Sequence, residues 1–234
     1  MSRRIVVTGA GRGIGLGIAT RLIADGHEVW GTARNPDAAT DLAAVGPAGI
    51  LQLDIGDDAS IDAFGEALAD QVDSIDGLIN NAGMNSGDLG VDRRAQGPLQ
   101  TTKPIVMQQI EINAVGPMLV TQRVRPLLGA GTNPVVLNVS SQLGSMVVGA
   151  KMPFDVGYNA SKSVMNMVTV MSATADPDVS YVALHPGWVQ SDMGGPKAAV
   201  SVADSANGIV DVFNDLTLAD SGRFVTWEGA EHPW

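Results

Sequence analysis

Tyr158 and Lys162 are the two side chains of this sequence whose types and spacing best suit them to moving a proton together. In a helix, residues four apart share a face, so a phenol and an ammonium would project side by side. A free tyrosine has a pKa of about 10, and a nearby cation favours the phenolate and lowers that pKa. The pair would then act as a general acid and base that protonates an alkoxide or deprotonates an alcohol. The same spacing also occurs by chance on solvated helix faces, so its meaning depends on the elements around it.

A glycine-rich segment near the start of the chain indicates a nucleotide site: Thr8-Gly9-Ala10-Gly11-Arg12-Gly13-Ile14-Gly15. It follows a β-branched run at residues 5–7 that is typical of a buried parallel strand, and it precedes a proline-free segment at 16–24 that suits a helix. In that context the glycines let the backbone approach a pyrophosphate, and the helix N-terminus offers free amide donors. The alternative is an ordinary glycine-rich turn, which the strand–helix context disfavours.

Further short motifs follow in order along the chain. They are Asn80-Asn81-Ala82-Gly83 after an apolar run, Asn113 within residues 112–116, Ser140-Ser141 after residues 135–139, and Pro186-Gly187 after residues 182–185. With three residues between Gly9 and Gly13 and with the tyrosine–lysine pair, this order resembles the short-chain dehydrogenase/reductase family over nearly the whole chain. Residues 185–195 and 222–234 resemble, more loosely, its carbonyl-reductase-like branch, which includes C-factor and sniffer relatives.

The resemblance implies a catalytic tetrad of Asn113, Ser141, Tyr158 and Lys162. Tyr158 would give a proton to the developing alkoxide, and Ser141 would donate a hydrogen bond to the same oxygen. Lys162 would lower the pKa of the tyrosine and bind the nicotinamide ribose, while Asn113 would hold a water that links Lys162 to solvent. Gly144 lies three residues after Ser141, as in the family, which favours Ser141 over Ser140 but leaves both open.

The implied cofactor is NADP(H) in preference to NAD(H). Where NAD-dependent relatives carry an acidic residue this chain has Ala33, followed by Arg34, and Arg12 precedes the second motif glycine. A 2′-phosphate favours arginine, whereas a 2′-hydroxyl favours a carboxylate. Asp54 would contact the adenine ring, although it could equally cap the next helix. The resemblance assigns the cofactor to Gly9, Gly11, Arg12, Gly13, Ile14, Gly15, Arg34, Asp54, Ile55, Asn81, Ala82, Gly83, Tyr158, Lys162, Pro186, Gly187, Val189 and Ser191.

Polar segments at residues 86–100, 146–157 and 192–200 are predicted to be loops that shape a substrate pocket. The pocket candidates are mostly apolar and could equally be core residues: Met84, Leu143, Phe154, Trp188 and Met193. We therefore expect an NADPH-dependent oxidoreductase that reduces a ketone or aldehyde to an alcohol. The alternatives are an NADP-binding sensor without turnover and, less favoured, a nucleotide-sugar epimerase or dehydratase, since those chains usually carry a C-terminal substrate domain.

Strand and helix signals alternate without a linker. They predict a single doubly wound α/β Rossmann domain over residues 1–234, with a seven-stranded, mostly parallel sheet flanked by helices on both faces. Strands are predicted at residues 4–7, 28–32, 49–54, 77–80, 134–140, 180–185 and 223–226. Helices are predicted at residues 13–24, 60–71, 103–127, 158–174 and 202–214.

Composition narrows the function classes. A net charge of −11 argues against nucleic-acid binding, and a chain without cysteine has neither disulfides nor thiolate catalysis. Three scattered histidines predict no metal site, and no apolar stretch approaches the roughly 18 residues that span a membrane. We expect a cytoplasmic enzyme that acts on a small carbonyl or alcohol compound and binds neither nucleic acid nor membrane. The family resemblance implies a homodimer or homotetramer. Residues 164–171 are apolar nearly all round a helix, which fits a helix buried on two sides, although a helix buried only within its own monomer would also explain the pattern.

Overall fold

The computed structural model describes residues 2–234 and centres on one sheet in which every pair of neighbouring strands is parallel. The strands are β1 (Arg4–Val7), β2 (Glu28–Ala33), β3 (Gly49–Gln52), β4 (Gly77–Asn80), β5 (Val135–Val139), β6 (Ser180–His185) and β7 (Phe224–Thr226). They lie in the order β3-β2-β1-β4-β5-β6-β7. The predicted doubly wound α/β fold is confirmed, and the strands pair in parallel throughout.

Helices cover both faces of this sheet. Within residues 2–234 they are α1 (Gly13–Ala24), α2 (Thr40–Ala44), α3 (Asp58–Ala69), α4 (Lys103–Ile110), α5 (Gly116–Leu128), α6 (Val156–Ala175) and α7 (Val202–Asp215). One core layer joins the sheet to α1 and α7, and a second joins it to α3 and α5. No helix in the described part of the chain is both long enough and apolar enough to cross a membrane.

The two core layers follow from the alternation of side chains along each strand. In β1, Ile5 and Val7 face the layer that contains Phe213 of α7, whereas Val6 faces the layer that contains Phe64 of α3. All five side chains are essentially inaccessible to solvent. Each contributes about 1.5–3 kcal/mol by leaving water, which is why short apolar runs suffice to specify the strands.

The segment predicted as one long helix is interrupted. Helix α4 passes into a π-helix at Glu111–Val115 before α5 begins. Pro117 supplies a physical reason, because proline has no backbone N–H and cannot donate to the carbonyl of Asn113 four residues earlier. The carbonyl of a predicted catalytic residue is therefore left without its α-helical partner.

Several boundaries and one helix differ from prediction. Strand β3 ends at Gln52, because Asp54 turns the chain by accepting the backbone N–H of Gly56 at 3.1 Å. The cap of α3 is Asp57, whose carboxylate accepts the N–H of Ala59, so Asp54 is not the helix cap. Helix α2 was not predicted, since its five residues are too few for a clear period. The predicted loops contain short 3-10 turns at Ser86–Leu89, Arg93–Ala95 and Gly149–Lys151.

Candidate active site

The predicted motifs meet at one edge of the sheet. The glycine loop follows β1, Asn81 follows β4, Ser141 follows β5 and Pro186 follows β6. Because these strands are parallel, their carboxyl ends lie together. The chain runs outward in opposite directions from the neighbours β1 and β4, which is where doubly wound proteins form a ligand crevice.

The glycine loop is packed so closely that two positions exclude any side chain. Gly9 has φ +63°, and a Cβ there would lie 3.0 Å from the Cα of Ala82. A Cβ on Gly15 would lie 2.3 Å from the carbonyl oxygen of Gly9. The loop also joins β2, since the N–H of Gly9 donates to the Thr32 hydroxyl at 3.2 Å. The result is a partly accessible, backbone-lined cradle of the kind that a dinucleotide requires.

Thr8 fastens this cradle to the end of β4. Its hydroxyl accepts the N–H groups of Asn81 and Ala82 at 3.0 and 3.1 Å. In return the Asn81 amide donates to the carbonyl oxygens of Thr8 and Gly9 at 3.0 and 3.2 Å. Sequence reasoning placed Asn81 in the cofactor cleft but missed Thr8 as its partner. In the structure, Asn81 orders the glycine loop.

The start of α1 is open to an anion. Arg12 occupies the cap position without capping the helix through its side chain, and the first turn carries no acidic residue. The backbone N–H groups at Gly13 and Ile14 therefore lie at the positive end of the helix dipole. The Arg12 guanidinium instead pairs with Asp192, and both side chains are largely exposed. Arg34 is also exposed, just beyond the end of β2.

Tyr158 and Lys162 lie on α6 as predicted, and both are buried. The Nζ atom of Lys162 is 5.8 Å from the centre of the tyrosine ring and donates to the carbonyl oxygen of Val139 at 2.8 Å. Burial lowers the pKa of Lys162 to about 7. Burial also raises the pKa of Tyr158, against the expected lowering by Lys162. The groups that oppose this increase are the Ser141 hydroxyl and the Arg93 guanidinium.

The two candidate serines have different surroundings. Ser141 contacts Tyr158, and its Oγ accepts the N–H of Leu143 at 3.1 Å, which leaves its own proton free to donate. Ser140 is fully buried, and its hydroxyl donates to the Oδ1 of Asn166 at 2.6 Å. The geometry thus directs Ser141, and not Ser140, at the tyrosine.

Asn113 lies in the π-helix and is fully buried. Its side chain accepts the N–H of Met84 at 2.8 Å and donates to the Met84 carbonyl at 2.8 Å. It also donates to the hydroxyl of Ser161, at 2.9 Å, in the turn between Tyr158 and Lys162. Its side chain therefore connects the loop after β4 to α6.

A buried ion pair beside Tyr158 was not predicted. The Nε of Arg93 donates to the Oδ2 of Asp155 at 2.6 Å, and Asp155 has no exposed surface. The guanidinium carbon of Arg93 lies 5.6 Å from the centre of the Tyr158 ring. A weak signal was present in the sequence, because Asp155 stands just before the catalytic helix where a cap is common. Its partner lies 62 residues away and could not be identified from a local pattern.

The segment after β6 is held in a turn that leads from the sheet edge to the glycine loop. Gly187 has φ +88°, and the carbonyl of Pro186 accepts the Ser205 hydroxyl at 2.7 Å. Val189 is buried and forms a parallel bridge with Val200. The Ser191 hydroxyl accepts the N–H of Gly194 at 3.3 Å. The Arg12–Asp192 pair then joins this segment to the cradle.

The predicted pocket residues are divided between two groups. Met84 and Leu143 are bonded through their backbones to Asn113 and Ser141, and Phe154 lies 5.7 Å from Arg93. Trp188 and Met193 belong to the turn after β6, where the Trp188 side chain is half exposed and bonds the carbonyl of Gly194. The first group therefore lies next to the predicted catalytic side chains.

Comparison with known proteins adds an independent observation. The sequence matches the family model described as short chain dehydrogenase over residues 3–200. It is 37% identical over 170 residues to the C-signal protein of Myxococcus xanthus, covering 68% of this chain and 93% of that protein. The structure is similar to an NADPH-bound carbonyl reductase from chicken fatty liver, with 30% identity, a TM-score of 0.88 and coverage of 100% of this chain and 99% of that chain. It is also similar to the carbonyl reductase Sniffer of D. melanogaster, with 26% identity, a TM-score of 0.90 and full coverage of both chains.

Proposed function

The chain belongs to the short-chain dehydrogenase/reductase family of oxidoreductases, as its motifs predicted, and on that premise we propose that it uses NADPH to reduce a ketone or aldehyde to an alcohol. One observation carries the proposal. Buried Tyr158 lies beside Lys162 and in contact with Ser141, at the sheet edge that also holds the glycine loop.

Tyr158 is the proton donor of the proposed reaction. Because burial raises its pKa, the phenol is protonated at neutral pH, which is the form that can give a proton to an alkoxide. When bound, the nicotinamide supplies a hydride to the carbonyl carbon. One hydride on carbon and one proton on oxygen complete the alcohol.

Ser141 stabilises the oxygen on which charge develops. Its Oγ already accepts the N–H of Leu143, so the hydroxyl proton can point toward the substrate oxygen. A donor fixed in this way requires no reorganisation during the reaction, and such donors are worth about 10²–10³ in turnover.

Lys162 and Asn113 are proposed to return a proton to Tyr158. With a pKa of about 7, Lys162 exchanges protons readily near neutrality. A Cβ on Gly83 would lie 3.0 Å from the Oδ1 of Asn113 and 3.7 Å from the Nζ of Lys162, so both side chains closely approach Gly83. We propose that a water held by the backbone carbonyl of Asn113 links Lys162 to solvent.

The cradle fits a dinucleotide, and its charges favour NADP(H). The close approaches at Gly9 and Gly15 leave bare backbone, and the uncapped start of α1 suits a pyrophosphate. Arg12 and Arg34 are the proposed ligands of the 2′-phosphate, with Ala33 where a carboxylate would repel it. Asp54 and Ile55 would lie at the adenine, and Pro186, Val189 and Ser191 at the nicotinamide.

The proposal is tested by a steady-state screen of aromatic and aliphatic ketones and aldehydes with NADPH and with NADH. We expect the alcohol to form from at least one substrate, with NADPH preferred. Tight binding of NADPH without alcohol formation anywhere in a broad screen would instead identify a dinucleotide sensor.

A further inference from the structure

The loop before α4 places a cation beside the proposed proton donor, and no step of the proposed reaction uses this cation. The guanidinium carbon of Arg93 lies 5.6 Å from the ring centre of Tyr158 and 5.7 Å from that of Phe154. The side chain is 29% exposed, so the guanidinium is only partly open to solvent. It contacts both the catalytic tyrosine and a predicted pocket residue.

Arg93 is held in place by a buried polar network. Its Nε donates to one oxygen of Asp155 at 2.6 Å. The other oxygen of Asp155 accepts the Ser86 hydroxyl at 2.5 Å and the Gln109 side-chain amide at 3.2 Å. Asp155, Ser86 and Gln109 are all fully buried. Such a network fixes the direction of the guanidinium, as a built binding site requires.

The backbone at Asp155 also carries strain. This residue adopts φ +51° at the start of α6, a region that non-glycine residues rarely occupy. Its N–H donates to the carbonyl of Arg93 at 3.1 Å, and the next N–H donates to Gln96 at 2.8 Å. Unusual backbone conformations that the surroundings enforce in this way cluster at functional sites.

Most of the donors on Arg93 are unused. A guanidinium has five N–H groups in a planar fork, and within residues 2–234 only the Nε–H of Arg93 makes a hydrogen bond. The two terminal nitrogens are therefore available to a ligand. Their geometry matches a carboxylate, which accepts two parallel bonds from one guanidinium.

We propose that Arg93 binds a carboxylate of the substrate, so that the enzyme prefers carbonyl compounds that carry a carboxylate a few bonds from the reacting carbonyl. The inference rests on the proposed function, since it assigns a substrate class to that same site.

The test uses three keto or aldehyde acids and their methyl esters: phenylglyoxylate, 3-benzoylpropanoate and 4-carboxybenzaldehyde. For each pair, the ratio of kcat/KM for the acid to that for the ester is measured in the parent, in Arg93→Gln and in Arg94→Gln. Arg94 is an exposed neighbour of the same charge and serves as the matched control.

We expect Arg93→Gln to lower the ratio of the best pair about tenfold, mainly through KM for the acid, as the loss of charge-assisted hydrogen bonds implies. The ratio in Arg94→Gln should stay within about twofold of the parent ratio, because the mutation removes a charge but no bond to the ligand.

Equal ratios in Arg93→Gln and Arg94→Gln for every pair would overturn the inference. A parent that reduces neutral ketones and the esters but no acid would also overturn it and leave the proposed function standing, whereas a parent that reduces no carbonyl compound would refute both. If Arg93→Gln does not fold, Arg93→Lys is measured in its place. It keeps the charge without the planar fork and should still lower the ratio, by about threefold or more.

Discussion

Lys162 is a cation that the fold must bury. The side chain is 4% exposed, and its one bond to oxygen is the 2.8 Å bond to the carbonyl of Val139. Its pKa falls to about 7 because burial disfavours the charged form. Strongly perturbed pKa values cluster at functional sites, which supports the proposed role of Lys162.

Lys162→Met is therefore expected to stabilise the protein at acidic pH while abolishing turnover. Below pH 7 the lysine is charged in both folded and unfolded chains, and a pKa lowered from 10.5 to about 7 corresponds to a burial cost of about 5 kcal/mol. The mutation also leaves the Val139 carbonyl without a hydrogen-bond donor. That loss costs about 1–3 kcal/mol and offsets part of the gain. We expect a gain of about 2 kcal/mol in the free energy of unfolding by urea at pH 6.

The gain should shrink as pH rises from 7 toward 10.5, because the folded parent releases the proton while its unfolded chain still binds it. Lys197→Met, which removes an exposed lysine, is the matched control and should show no such trend. A Lys162→Met variant that is less stable than the parent at pH 6 would contradict this account.

Arg12 and Arg34 should determine the choice of cofactor. Each charge-assisted bond to a 2′-phosphate is worth about 1.5–3 kcal/mol, whereas the exposed Arg12–Asp192 pair that must open is worth at most about 1 kcal/mol. Replacement of both arginines by alanine should raise KM for NADPH about tenfold or more and leave NADH kinetics nearly unchanged. Arg123→Ala on α5 is the control. Equal weakening toward both cofactors would refute the assignment.

Local sequence patterns identified the site residues that lie close together along the chain. Tyr158 and Lys162 share one helix face, and the cradle glycines are contiguous, so spacing alone brought them together. The pair of Arg93 and Asp155 escaped prediction because it joins two loops 62 residues apart. The sequence-based expectation that the pKa of Tyr158 is lowered was also wrong. Burial raises that pKa, and burial depends on the packed fold and not on residue spacing.

At the scale of elements, the interrupted helix is the feature that most directly serves the site. Pro117 leaves the Asn113 carbonyl without an α-helical donor, and the π-helix at Glu111–Val115 accommodates the mismatch. The strands were predicted accurately because buried parallel strands appear as short apolar runs. The π-helix was not predicted, because the sequence pattern on either side of it is helical.

Pro117→Ala should supply the missing N–H and occupy the Asn113 carbonyl. We expect turnover to fall about tenfold or more, the lower range for a lost proton-transfer partner, with thermal stability unchanged or increased. Pro126→Ala in the same helix is the matched control, because Pro126 is exposed and should restore a helical bond without affecting turnover. Equal turnover in the two variants would argue against a water at Asn113.

At the scale of the whole molecule, α4, the π-helix that follows it and α6 expose apolar side chains to solvent. Met107, Met167 and Met171 are 51%, 60% and 62% exposed, and Val115 and Val164 are each 36% exposed. The helix at residues 164–171 was predicted to be buried on two sides. In the single chain, one of those sides is exposed to solvent. The predicted oligomer would bury it.

Glutamate at both Met167 and Met171 should therefore convert the protein to a 24.2 kDa monomer in light scattering, because it would place charge in an apolar interface. Met146→Glu is the control, since Met146 is 76% exposed on a loop outside this surface, and it should leave the particle mass unchanged. A parent that already scatters as a monomer at micromolar concentration would rule the oligomer out.

The proposed function depends on Tyr158 giving a proton to the alkoxide that hydride transfer produces. The most direct measurement uses NADPH that carries deuterium at the position from which the nicotinamide transfers hydride. Deuterium at the carbinol carbon of the alcohol is followed for the parent and for Tyr158→Phe. The affinity of both proteins for NADPH is measured by fluorescence. We predict labelled alcohol from the parent and a rate lower by about 10² or more in the variant, the scale of a lost general acid. NADPH affinity should change little, because the cradle and its arginines hold the cofactor. Labelled alcohol formed by Tyr158→Phe at nearly the parent rate would contradict the account.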